Sequence, residues 1–341
     1  MKKTNTGIIV VLTGLLMVLF SLSVAAYPTP DNPSNLEVGH ILAPETLQNE
    51  ALKMLSDMVE ERTNGALKIE VFPAQQLGSA TDQLENVSMG AQSMMLLGTN
   101  WLYTFSERFI FNEVPFMFED LDHMSKYYDE FFEDEMLPDL ITNGNIRMIN
   151  VEGRWIRSPY HVLISKKPVL SVDDLQGLSM RQFPSEAVVE TWRRMGADIS
   201  IIDYAEVYLA LQYGTVESLT TPINLVYPQR FSEVAKFITE TRDYPTIEAL
   251  IINNDLWESL SSEQQKVLTE TANEVGSWLT ERVMDEVEEL KQRMIDEHDA
   301  VYIEVNRDQF VEYARDNVFP SMVEDGILQQ ELVDEVLGLV E

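Results

Sequence analysis

Residues 177–222 read GLSMRQFPSEAVVETWRRMGADISIIDYAEVYLALQYGTVESLTTP, and the fold turns on this stretch. Arg181 ends a short apolar, strand-like run just before Phe183-Pro184, where a bound anion can reach it. A short amphipathic helix follows, then a Gly196-Ala197 turn and a second apolar run ending at Asp203. The helical phrase EVYLALQYG leads into a polar strand that closes on Pro222. A lone guanidinium at the edge of a sheet suits a carboxylate, because its planar fork matches two oxygens at once.

Outward from that stretch, the N-terminus sets the compartment. Lys2 and Lys3 precede an almost wholly apolar run from Ile8 to Leu22, and Val24-Ala25-Ala26 supplies small residues before Tyr27. This is the pattern of a secretory signal peptide cleaved after Ala26. An uncleaved anchor is the alternative, but the run is short of the roughly 20 residues a span requires. Pro28, Pro30 and Pro33 interrupt any continuation. An exported protein is expected. The chain has no cysteine, which excludes disulfides and a lipid-anchored cysteine alike. About 315 residues follow Ala26, more than one compact core usually takes, so two lobes are expected.

The formal net charge is −33, and losing Lys2 and Lys3 with the leader makes it −35. Such a surface repels nucleic acid and anionic membrane. The excess serves solubility, or it fits residence in concentrated salt, where repulsion is screened to within about 3 Å at 1 M. Its even spread along the chain favours a salt-loving source.

Tyr27 to Asn35 reads as a leader outside the folded domain, and Leu36 to Ile41 as a first strand. Leu47 to Arg62 carries an apolar helical face stopped by Asn64-Gly65, and Leu67 to Phe72 alternates as a strand does. Strand, helix, strand, helix over the first hundred residues argues a parallel α/β sheet. Met117 to Asn143 reads as helix, Arg147 to Val151 and Val162 to Ile164 as strands, and Ser171 to Gly177 as one helical turn. Ile247 to Ile252 reads as a buried strand. Ser261 to about Asp299 is one long helix opened by a capping box with Gln264 or Gln265. On the order of 50 Å long, it must lean on both lobes.

The words GHILAPET (Gly39 to Thr46), ERTNGALKIEVFPAQQLG (Glu61 to Gly78) and LENVSMGAQSMM (Leu84 to Met95) recur in one family in this order. TNWL (Thr99 to Leu102), VPFMFEDLDH (Val114 to His123), KKPVLSVDDLQGLSMR, FSEVAKFIT (Phe231 to Thr239) and LWESLSSEQQKVL (Leu256 to Leu268) complete the series. Over nearly the whole mature chain the sequence resembles the extracytoplasmic solute-binding proteins of TRAP (tripartite ATP-independent periplasmic) transporters. The resemblance implies an α/β, two-lobed periplasmic-binding-protein-like fold with a ligand cleft between lobes and a long bridging helix. One lobe is then residues 27–158 plus 246–286, and the other 159–245 plus 287–341. Closure around a small organic solute would hand it to TRAP membrane permease subunits driven by an ion gradient.

By the same resemblance, Arg181 holds the substrate carboxylate as a two-point salt bridge. Thr221 stands where many members have asparagine, and keeps a hydroxyl while losing a second donor. His161 stands where several carry a second arginine, as a neutral hydrogen-bonding group or a half-charged clamp near pH 6.5. Arg154 and Arg157 lie close by and are candidate substitutes. Tyr204 matches a position that is often aromatic and faces the cleft. Trp101 and Trp155 are similar candidates, with core packing as the alternative for each. Gln76 and His40 fall at predicted strand ends, where clefts of α/β sheets form, and Phe183 is a weaker candidate. Glu206 reads first as the partner of Asp203 in a capping box and second as a ligand contact.

No HExxH, GxSxG, GxGxxG, Walker or calcium-loop motif occurs. With four scattered histidines and no cysteine, neither a metal nor another cofactor is expected. The lead reading is a binding protein for a small organic acid, with no enzymatic activity. A small polar or cationic solute, such as an amino alcohol, is the alternative in the same fold, given Glu206, Glu186 and the aromatics. A secreted hydrolase finds no spacing that singles out a carboxylate pair.

Overall fold

A computed structural model of the chain describes residues 27–30, 32–152 and 154–339. The stretch read as a signal peptide lies outside the described residues. Among the described residues no helix is long and apolar enough to cross a membrane.

Among the described residues twelve strands form in chain order: β1 (Ser34–Gly39), β2 (Leu67–Phe72), β3 (Met94–Gly98), β4 (Ile146–Met148), β5 (Trp155–Ser158) and β6 (His161–Ser165). They continue as β7 (Ser179–Gln182), β8 (Asp198–Ile201), β9 (Ser218–Pro222), β10 (Phe237–Thr239), β11 (Thr246–Asn253) and β12 (Val301–Ile303). One sheet runs β2-β1-β3-β11-β4, with β5 also paired to β11. The other runs β12-β10-β6-β9-β7-β8. β1 is parallel to β2 and β3, as the alternating first hundred residues require, because the connecting helix Leu47–Arg62 carries the chain back across the sheet. β11 arrives from the far end of the sequence and inserts antiparallel between β3 and β4. The first sheet is therefore completed by a strand that follows five strands of the second, and the connections between β5 and β6 and between β10 and β11 cross from one sheet to the other.

Two apolar cores follow from the two sheets. The larger joins the first sheet and its helices, with Leu52, Met94, Leu250 and Trp155 fully buried in it, and extends into the helix Glu186–Arg194 through Trp192. The smaller lies under β6 and β9, around Ile164, Leu219 and Phe231. The helix Ser262–His298 spans both. Leu268, Val275, Leu279 and Val283 enter the first core, while Val287, Leu290 and Met294 enter the second. At 37 residues it is about 55 Å long. Its capping box forms as read: Ser261 Oγ accepts from Gln264 N, and Gln264 Oε1 accepts from Ser261 N.

Several boundaries differ from the sequence reading, three of them for reasons visible in the contacts. β1 starts at Ser34, since Ser34 N donates to Ala66 O and begins the ladder two residues earlier. The stretch 117–143 is not one helix. It starts at Leu121, where Asp120 caps His123 N, and it widens into a π-helical turn over Phe132–Met136 before resuming at Leu137. The last helix, Gln330–Gly338, returns to the first sheet's unit: His123 Nε2 donates to Val336 O at 2.7 Å and Arg108 pairs with Glu335 at 2.9 Å. Its Val333 and Val336 are buried in the larger core, which a sequence-based grouping of 287–341 with the second lobe does not foresee.

Candidate functional site

β7 lies inside its sheet, flanked by parallel β8 and β9, so Arg181 stands near the strand's C-terminal end rather than on a sheet edge. The carboxyl ends of parallel strands are where ligand crevices open. There a cavity of about 110 Å³ lies between the two sheets. The first unit supplies Ile41, Gln75, Ser79, Trp101 and Arg157, and the second supplies His161, Arg181, Tyr204, Thr221 and Leu225. Tyr244 and Thr246, on the return into β11, close its floor.

Arg181 is 4 % exposed. Its Nε donates to Ile202 O at 2.8 Å, which fixes the guanidinium plane, and its Cζ lies 5.5 Å from the Tyr204 ring centre. No carboxylate among the described residues pairs with it. Burial lowers its pKa to about 10, so it stays charged at neutral pH. A buried cation without an acid partner is costly unless something else neutralises it. Two neutral groups share its predicament. Tyr244 Oη and His161 Nδ1 are buried, border the cavity and find no hydrogen-bond partner among the described residues. Each orphan group costs about 1–3 kcal/mol until satisfied.

His161 answers the choice left open by its sequence position. Its Nε2 lies 2.7 Å from Thr246 Oγ1, and its ring packs 4.1 Å from that of Tyr244. Burial, with Arg157 nearby, holds its pKa well below 6.5, so the ring is neutral. Thr221 Oγ1 lies 3.5 Å from Tyr204 Oη, and the Tyr204 ring is steadied edge-on by Phe231. Across the mouth, Trp101 of the first unit meets Phe183 of the second with ring centres 5.9 Å apart.

Several sequence candidates do not line the cavity. Trp155 is buried in the larger core, its Nε1 donating to Ala272 O of the long helix at 2.8 Å. His40 is consumed locally: Nδ1 accepts from Leu42 N and Nε2 donates to Asn49 Oδ1, while burial lowers its pKa to about 4. Gln76 is exposed, because Ala74 and Gln75 both take positive φ and the turn carries Gln75 inward instead. Glu206 is exposed too, and no side-chain cap joins it to Asp203. Asp203 instead lines the cavity rim. Of the two nearby arginines, Arg157 reaches the cavity, while Arg154 pairs with Asp129 beside the Tyr128 ring.

Sequence reading passed over Gln75, Ser79, Asn100, Asp203, Tyr244 and Thr246. Tyr244-Pro245 directly precedes the buried strand β11, which opens at Thr246, and that strand start was the one available signal.

The sequence family described as bacterial extracellular solute-binding protein, family 7, matches residues 38–320. A curated relative, the 2,3-diketo-L-gulonate-binding periplasmic protein of Escherichia coli, is 29% identical over 322 residues, covering 93% of this chain and 97% of that protein. The C4-dicarboxylate-binding periplasmic protein of Rhodobacter capsulatus is 25% identical, covering 83% and 84% of the two chains. Among solved structures, a TRAP periplasmic solute-binding protein from Roseobacter denitrificans with bound L-galactonate shares the fold with a TM-score of 0.81. It is 21% identical, over 90% of this chain and 98% of that one. The match to the family covers most of the chain, and the two-sheet architecture with its interposed cavity agrees with it: this protein belongs to the family 7 bacterial extracellular solute-binding proteins.

Proposed function

We propose that the protein is a periplasmic receptor that captures a small organic acid and passes it to the membrane subunits of an ion-gradient-driven TRAP importer. One observation carries the carboxylate half: Arg181 is buried at the cavity, charged, oriented by Ile202 O, and without an acid of its own. A carboxylate would supply the two oxygens its fork lacks. Tyr244 Oη, His161 Nδ1 and the Thr221 hydroxyl are then placed to meet neighbouring hydroxyls of the solute, and Trp101 and Phe183 cover it from water. The relatives that bind diketogulonate and galactonate support this reading by analogy. The N-terminal signal pattern, and relatives described as periplasmic, support export.

No step here needs a bond made or broken in the solute; the work is differential binding to the closed state. A ligand that touches Arg181 and Trp101 together favours the arrangement in which both units meet. A cationic solute is less favoured, because the buried Arg181 faces the cavity without a paired acid, while the carboxylate of Asp203 lies exposed at the rim.

A thermal-shift screen of the mature protein against sugar acids, short organic acids, amines and neutral sugars tests this. Only compounds carrying a carboxylate should raise the melting temperature, since a ligand at a hundred times its Kd adds about 2.7 kcal/mol. A stabilising neutral sugar or amine, with no acid active, would contradict it.

A further inference from the structure

Arg157 poses a question that the role of Arg181 leaves open, because two guanidiniums border one cavity. Between β5 and β11, Ser158 pairs with Thr246 and Ile156 with Ile247, so Arg157 is the extra residue of a β-bulge. A bulge re-aims its side chain. Here it brings Arg157 Nε to 3.3 Å from Glu248 Oε1 on β11. Glu248 is 1% exposed and Arg157 12%, so the pair is removed from bulk water on the carboxylate side and borders the cavity on the other.

We propose that Glu248 fixes the number of negative charges the cavity accepts, by engaging Arg157 and leaving Arg181 as the unengaged cation, so that singly charged acids are selected over di-acids of equal length. This inference rests on the carboxylate reading of Arg181. The other charged or titratable groups facing the cavity give no second cation: His161 is neutral, and Asp203 is an exposed carboxylate at the rim that repels a second acid. The remaining lining is apolar at Trp101, Phe183, Leu225 and Ile41 and uncharged, mostly polar, elsewhere, so it supplies no charge to offset stripping water from a second carboxylate. Specificity here comes from a charge already spoken for, which is a repulsive rather than an attractive device. Burial raises the Glu248 carboxyl to about 7 against the pull of Arg157, so measurements belong above that value.

The test is calorimetric titration of the mature protein at about pH 8.5 with two matched pairs, galactonate against galactarate and glucuronate against glucarate. The mono-acid of each pair that binds should do so at least about tenfold more tightly in the wild type. Glu248→Gln should cut the ratio below about threefold by strengthening di-acid binding. Arg157→Gln combined with Glu248→Gln should restore the wild-type preference, an outcome that simple loosening of the strand would not produce. Equal affinities in the wild type overturn the proposal even if Glu248→Gln fails to fold, and so does a ratio unmoved by Glu248→Gln. If mono-acids bind through Arg181 but show no preference, this inference alone falls. If neither kind of acid binds, the carboxylate reading falls and takes it along.

Discussion

Ser185 of the second unit donates its hydroxyl hydrogen to Glu113 Oε1 of the first, while Asn100 Nδ2 donates to Glu113 Oε2 at 3.2 Å. Ser185 also caps the helix Glu186–Arg194 by accepting from Val188 N, so a buried carboxyl, a helix start and the interface between the units share one hydrogen-bonded cluster. Burial pushes Glu113 from its ordinary 4.5 up to about 8. Between those values the folded protein holds a proton that the unfolded chain has released. The contribution is therefore full below about 4.5 and is lost as pH rises through about 8. Glu113→Gln keeps a neutral amide there and should flatten the fall in melting temperature between about pH 6.5 and 8.5 relative to the wild type. Parallel slopes for the two proteins would refute it.

The His161 ring should not titrate near 6.5. Its folded value is depressed by burial, so the neutral form persists well below the ordinary value; its contribution to stability is full above about 6.5 and is lost as pH falls from there through the lower folded value. Ring-proton NMR shifts should stay flat from about pH 8 to 6, and ligand affinity should show no histidine inflection there. A midpoint close to 6.5 would mean that the ring is exposed or paired with an acid.

The charge excess predicts a salt response. With a net of −33, self-repulsion opposes the compact state at low ionic strength and is screened to within about 3 Å at 1 M. Raising sodium chloride from about 0.1 M to about 2 M should lift the melting temperature by more than about 5 °C. A flat or falling curve would leave the acidity to solubility alone.

Elements with a strong local signal were legible in the sequence. The helix Leu47–Arg62 and the strand Leu67–Phe72 have the bounds their periodicity gives, and Ser261 caps the long helix as its spacing requires. What periodicity cannot register is a local decision made by backbone or tertiary contact. Positive φ at Ala74 and Gln75 exchanged Gln75 for Gln76 at the cavity. His40 follows the end of β1 and Trp155 opens β5, but a neighbouring asparagine and amide claim the histidine and a carbonyl of the long helix claims the tryptophan. Arg157 gained its place from a bulge, which a single strand's sequence does not reveal. Arg181 was legible because its motif, rather than its periodicity, set it apart.

The receptor reading turns on the Arg181 guanidinium, and exchanging arginine for lysine there probes it most sharply, since lysine keeps the charge and loses the fork. Calorimetric titration of wild type and Arg181→Lys with a stabilising sugar acid should show a loss of roughly a hundredfold in affinity, with the unliganded melting temperature little changed. Undiminished affinity in the lysine variant would mean that the acid is held elsewhere, and that the buried arginine has no part in recognition.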